Sequence, residues 1–168
     1  ILDDWRRGGA EILPFSPLAD EPPAQDADFI FLPGGYPELH AAELAAATRF
    51  KSAMQAATCP IWGECGGYMV LGEALTDAEG KRHAMLGLLA LETSFAQRKL
   101  HLGYRALTAH NGPFPGHWNA HEFHYATTLR AEGPALFEAR DAEGAALAPM
   151  GLIAGHVAGS FAHLIDRQ

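Results

Sequence analysis

The chain has 168 residues, enough for one domain with a sizeable core, and its 48% hydrophobic content excludes a disordered polypeptide. Its formal net charge is −8, with scattered acidic residues and neither a basic run nor aromatic-basic interleaving, which argues against a nucleic-acid partner. No apolar stretch approaches the length of a membrane span.

Residues 1–7 have the composition of a helix, which Gly8 and Gly9 stop, and Glu11–Phe15 reads as a strand. Residues 1–15 carry no signal-peptide pattern. A strand–helix–strand unit needs a strand before Ile1, so the chain reads as a piece of a longer protein cut just after its first strand. Asp28–Leu32 is continuously apolar after its aspartate, as expected of a strand buried on both faces in a parallel sheet. The turn Pro33–Pro37 follows. Residues 38–57 are helical in period, with Leu39, Ala42, Leu44, Ala46, Phe50, Met54 and Ala57 on one side.

Cys59–Trp62 is the next expected strand. Gly63-Glu64-Cys65-Gly66-Gly67 follows it, and a helix is expected from Gly66 to Leu75. A strand ending in Gly-x-Cys-x-Gly and turning at once into a helix is a nucleophile elbow. Small neighbours permit the tight turn, and the central side chain is lifted above the sheet edge. The order strand, helix, strand, helix predicts a layered α/β fold with a parallel core. Beyond Lys81 helical periodicity fades. Strands are expected over 88–95, 103–110, 122–130, 135–140 and 151–157, with turns at Asp77–Gly80 and Asp141–Gly144 and a loop at Asn111–Gly116. The second half is thus strand-rich, either extending the sheet or adding a small antiparallel one.

Cys65 in the elbow is the candidate nucleophile. A disulfide to Cys59 would cripple the turn, so both cysteines read as free thiols of a reducing, cytoplasmic compartment. A thiol nucleophile needs a base and an oxyanion site. His163, in Gly-Ser-Phe-Ala-His near the end of the chain, is the candidate base; plain packing in a terminal strand is the alternative. Gly34 and Gly35 should lie at the same sheet edge as the elbow, where the N–H groups of Gly35 and Gly66 converge on one point. In His121–Tyr125, strand alternation separates His121, Phe123 and Tyr125 from Glu122 and His124. Histidines beside a carboxylate invite a metal reading, but the remaining histidines lack ligand spacing, and no metal is expected.

These residues resemble the class I, or triad, glutamine amidotransferase domain. More narrowly, Phe15–Asp20, Leu32–Glu38, Trp62–Met69, Leu102–Arg105 and His121–Tyr125 are together similar to the C-terminal domain of the cobyrinic or hydrogenobyrinic acid a,c-diamide synthase family. The resemblance covers nearly the whole chain. It implies a three-layer, flavodoxin-like α/β fold with a mostly parallel central sheet, residues 1–168 forming a glutaminase domain truncated at its N-terminus. It implies that Cys65 and His163 hydrolyse glutamine through a thioester. Gly34, Gly35 and Gly66 would form the oxyanion and substrate edge, and Glu122, His124 and Tyr125 are candidates for the glutamine pocket. It further implies a covalently linked N-terminal synthetase domain, where ATP and Mg²⁺ activate the a and c carboxylates of a corrinoid; no cofactor is expected in this domain. Amidation of a nickel sirohydrochlorin, a different thiol hydrolase on the same architecture, and a degenerate docking domain are the alternatives. The family's usual glutamate two residues beyond the histidine is replaced by Ile165, which leaves Asp166, Glu64, Glu92 and Glu122 as candidate acids. Met69 stands where many class I elbows carry glutamine.

Overall fold

The computed structural model describes residues 2–168. Helix α1 (Leu2–Arg7) ends at the glycine pair, and a 3₁₀ turn spans Pro17–Ala19. Strand β1 (Ile30–Leu32) leads through a 3₁₀ turn at Pro37–His40 into α2 (Ala41–Ala46) and α3 (Thr48–Ala56). Strand β2 (Ile61–Glu64) meets α4 (Gly66–Leu71) at the elbow. Strands β3 (Ala74–Thr76), β4 (Arg82–Ala84), β5 (Leu91–Ser94), β6 (His101–Ala109), β7 (Gly116–His124) and β8 (Thr127–Ala131) follow. The chain closes with β9 (Ala135–Asp141), β10 (Met150–Ala154), β11 (Val157–Ser160) and β12 (Ala162–Arg167).

The main sheet has eight strands in the order β1-β2-β11-β10-β9-β6-β7-β12, and a four-stranded sheet, β4-β3-β5-β8, packs beside it. The second half therefore does both things its sequence allowed: it extends the first sheet and builds another. Parallel pairing joins β1 to β2 and β2 to β11, and the other neighbours in the main sheet are antiparallel. The expectation of a mostly parallel sheet thus holds only at the edge that carries the elbow. The later neighbours are joined by links too short for a parallel crossover, such as the turn Gly155–His156 between β10 and β11 and residues 142–149 between β9 and β10.

Strand alternation sorts the side chains of this edge into two cores. Ile30, Leu32, Ile61 and Val157 face one, with Leu44, Phe50 and Met54 from α2 and α3 and Leu71 from α4. Trp62, Ala158 and Phe137 face the other, with Phe29, Phe31 and Phe114 against it. Trp5 of α1 covers that side, its ring 5.3 Å from Phe31 and 6.2 Å from Phe29. No helix among the described residues is long and apolar enough to cross a membrane.

Five expected elements are corrected. The strand expected over 122–130 is interrupted at Tyr125 and Ala126, between β7 and β8, and the one expected over 151–157 by the turn Gly155–His156, between β10 and β11. Glu11–Phe15 is not a strand: Pro14 lacks the N–H a ladder needs, and the segment instead delivers Phe15 to the Phe50 ring. The helix expected over 38–57 is broken at Ala47, whose ψ is 79°. Asp20 is the physical reason: its carboxylate accepts the otherwise free N–H of Phe50 at 2.9 Å, capping α3 from a distant loop. The break turns Ala41 and Ala47 inward and leaves Leu39, Ala42 and Ala46 exposed. The elbow helix stops at Leu71 rather than Leu75: Gly72 is extended, with ψ 179°, and passes so close to the Leu91 carbonyl that a Cβ there would lie 2.6 Å from its oxygen.

Candidate functional site

The elbow is built by β2, β11 and α4. Cys65 has φ 48° and ψ −104°, a conformation that costs a non-glycine residue about 1–3 kcal/mol. The neighbours hold it there. Cys65 N–H donates to the Ser160 carbonyl at 2.8 Å, and Gly67 N–H donates to the Pro33 carbonyl at 3.1 Å. Gly63, Gly66 and Gly67 let α4 press onto the strands: a Cβ on Gly63 would lie 2.6 Å from Leu71 Cδ1, and one on Gly67 would overlap the Leu32 carbonyl. Strain at one residue, enforced from all sides, marks a turn shaped for presentation of its side chain.

His163 approaches from β12. Its ring lies beside the Cys65 side chain, and its Nδ1 stands 3.4 Å from Glu64 Oε2. Cys65 and then Glu64 favour the protonated ring, and they raise His163 to about 10 against the opposing effect of burial. The Cys65 thiol also donates to the Phe123 carbonyl at 3.7 Å, so the end of β7 passes directly over the nucleophile. Glu64 is buried; its Oε1 accepts from Trp62 Nε1 at 3.2 Å and from Leu164 N–H at 3.3 Å.

The Pro33–Pro37 loop closes a third side. A Cβ on Gly34 would lie 2.6 Å from His163 Cε1, and a Cβ on Gly66 would lie 2.7 Å from Gly35 N. The structure therefore brings Cys65, His163, Gly34, Gly35 and Gly66 to one point. Glu122 and His124 are placed otherwise. In register, His163 faces His121 while Ala162 faces Glu122, so Glu122 and His124 occupy the opposite face of β7 from the base. There they line a cleft of about 360 Å³ with Lys99, His101, Thr127, Thr128 and Phe161. Tyr125 is 43% exposed. The residues on the base's own face are His121, 5.9 Å from His163 between ring centroids, and Phe123 and Tyr104 beside it. Alternation in the sequence separated the two faces, but no signal in it said which one meets the thiol.

His101, Glu122 and His124 offer donor atoms that all lie within 4.8 Å of one another. Those of Glu122 and His124 are already engaged. Glu122 Oε1 pairs with His124 Nε2 at 2.9 Å and Oε2 with Arg105 at 2.8 Å, while His124 Nδ1 lies 3.1 Å from the Ala126 carbonyl. These charged partners hold Glu122 below the usual carboxylate range despite its burial, and the group is an ion-paired network behind β7.

Residues 2–168 match the family model described as the CobB/CobQ-like glutamine amidotransferase domain. The chain belongs to that family. It is 58% identical, over 99% of its length, to hydrogenobyrinate a,c-diamide synthase of Brucella abortus biovar 1 (strain 9-941). It is 59% and 54% identical to proteins of that name from Sinorhizobium sp and from Rhodobacter capsulatus, over 99% and 98% of its length. It spans 39% of the length of each of these three relatives. Among solved structures, a glutamine amidotransferase aligns over 81% of this chain and 70% of its own, with a TM-score of 0.52 and 14% identity. A putative GMP synthase protein from Thermoplasma acidophilum aligns over 82% and 63%, also with a TM-score of 0.52 and 14% identity. These likenesses establish the α/β glutaminase-like fold.

The Gly34 contact gives this amidotransferase domain a direct test. Gly34 has no left-handed φ, and the three atoms nearest to a methyl group there all belong to the His163 ring. Gly34→Ala is expected to displace the imidazole and lower kcat for glutamine hydrolysis about 100-fold. The thermal midpoint should stay unchanged, because the loop is exposed. Steady-state kinetics and a melting curve on the same preparation check both halves.

Proposed function

We propose that this domain is the glutaminase of a hydrogenobyrinate a,c-diamide synthase. The observation that carries the reading is the strained elbow with its thiol beside a histidine held cationic. The Cys65 sulfur, as thiolate, attacks the side-chain carboxamide of glutamine. The N–H groups of Gly35 and Gly66 receive the oxyanion. Collapse of the tetrahedral adduct breaks the C–N bond, and His163 gives its proton to the departing amine, leaving a glutamyl thioester. Water, deprotonated by the now neutral His163, then adds to the thioester and releases glutamate.

The ammonia would serve an amidation performed by the remainder of a longer polypeptide, in keeping with the 39% coverage of the relatives. We assign to that remainder the ATP- and Mg²⁺-dependent activation of the corrinoid carboxylates. The relatives' name favours a hydrogenobyrinic substrate over a nickel sirohydrochlorin. Two free thiols, Cys59 and Cys65, suit a reducing cytoplasm.

A chloroketone or diazoketone analogue of glutamine tests the site against a generic thiol hydrolase. Peptide mass spectrometry should find one label, on Cys65, suppressed by excess glutamine. Labelling of Cys59 instead, or labelling of Cys65 that glutamine does not slow, would refute a glutamine pocket at the elbow.

A further inference from the structure

From the placement of its carboxylate between the elbow and β12, we infer that Glu64 is the positioning acid of the catalytic histidine. This inference rests on the glutaminase reading of Cys65 and His163. The other candidate acids are elsewhere. Ile165, in the position two beyond His163, is exposed, and the register of β12 against β7 shifts there. Asp166 accepts from Asn119 Nδ2 at 2.9 Å on the surface. Glu92 pairs with Arg82 in the second sheet. Glu122 is tied to Arg105 and His124 on the far face of β7.

Glu64 instead precedes the nucleophile in the chain and reaches His163 from beneath it. The titratable groups facing His163 are Cys65 and Glu64 from the elbow and His121 from β7, while Gly34 covers the ring edge from the loop. Of these, Glu64 is the acid opposite Nδ1. Its geometry is one-sided. Oε1 is committed to Trp62 Nε1 and Leu164 N–H, which leaves Oε2 for the imidazole. The carboxylate accepts Nδ1–H, which turns Nε2 toward the sulfur and stabilises the imidazolium formed when the thiol gives up its proton. Placing the acid on the elbow makes one turn set the position of the thiol, the orientation of its base and the charge of that base.

The two donors on Oε1 make Glu64→Gln a sharp test. They hold the glutamine carbonyl in the Oε1 position, so the amide NH₂ must face Nδ1. That favours the opposite tautomer, with Nε2–H toward Cys65, while both structural hydrogen bonds survive. In the full-length protein, kcat for glutamine hydrolysis should fall about 100-fold or more. KM and the thermal midpoint should hardly move. The alkaline limb of the kcat/KM profile should drop by about one pH unit or more, since the glutamine no longer holds His163 protonated. A merely structural Glu64 would show the reverse: a lower midpoint and an unmoved limb. Glu64→Asp, which keeps the charge, should recover part of the lost rate.

Retention of kcat within about threefold and an unshifted limb in Glu64→Gln would overturn the assignment. Should that variant not fold, Glu64→Asp with a reduced kcat and a wild-type alkaline limb supports the assignment, and wild-type kcat or a dropped limb with the carboxylate present overturns it. Cys65→Ser is run alongside. If it keeps glutamine hydrolysis, the glutaminase reading itself falls; if it is inactive while Glu64→Gln is not, only the role of Glu64 falls.

Discussion

Cys65→Ser is expected to lower glutamine-dependent amidation by the full-length protein by about 10⁴-fold or more, and to leave ammonia-dependent amidation intact. The first half follows from the nucleophile. A serine hydroxyl beside His163 is a far weaker nucleophile than a thiolate, and no other described side chain replaces the sulfur at the elbow. The second half follows from separation: ammonia supplied from solution bypasses the elbow and needs only the synthetase chemistry assigned to the rest of the polypeptide. Parallel assays with glutamine and with an ammonium salt decide it, and equal loss of both activities would count against a glutaminase role. A second variant separates chemistry from strain. Cys65→Gly removes the thiol and relieves a backbone that costs about 1–3 kcal/mol, against about 0.5–1 kcal/mol of added chain entropy in the unfolded state. Its unfolding midpoint should therefore match or exceed that of Cys65→Ser, although neither variant hydrolyses glutamine. Such a result would mean that the domain holds its cysteine in place against local stability, for function.

Much of this site was legible because its parts are local. Gly63–Gly67 encodes the elbow in five consecutive residues, and the observed φ of Cys65 and the start of α4 at Gly66 are what that spacing demands. The loop glycines were legible for the same reason, as punctuation after a buried strand. Pairings between distant segments were less accessible. Periodicity over 38–57 gave no warning of the break at Ala47, because the carboxylate that caps α3 comes from Asp20, thirty residues before Phe50. Parallel pairing was over-extended for a similar reason: apolar strands look alike whichever way the neighbour runs, and only the turns at Gly144 and Gly155 hint at reversal.

Glu64 is the most instructive case. It was visible only as one of several possible acids, since its side chain meets His163 across nearly a hundred residues of sequence. The expected position, Ile165, drew attention to β12, whereas the acid lies on β2. Two parallel neighbours explain how: β11 pairs with β2 in register from Val157–Ile61 to Ser160–Glu64, and the chain then turns at Phe161 into β12. That register sets the base above the residue preceding the nucleophile.

The largest effect on stability is expected from Gly67→Ala. Gly67 is the second residue of α4, and its Cα faces the backbone of β1, not a side chain that could rotate away. A Cβ there would overlap the Leu32 carbonyl, and the neighbouring Gly67 N–H to Pro33 carbonyl bond ties the two segments together. Relief requires α4 to move off the sheet. That would also open the contacts of Leu71 and Tyr68 with Gly63 and Gly159, because Cβ positions on those glycines are equally filled. Overpacking against backbone should destabilise the domain by about 3 kcal/mol or more, at the upper end for inserted methyl groups. Gly35→Ala is the matched control two residues beyond Pro33. Nothing lies within 4 Å of a Cβ there, and alanine keeps the N–H assigned to the oxyanion site. It should change stability by no more than about 0.5 kcal/mol. Denaturant unfolding of both variants, with hydrolysis measured alongside, tests whether the close approach of α4 to β1 holds the elbow in shape. Equal stability of the two variants would refute it.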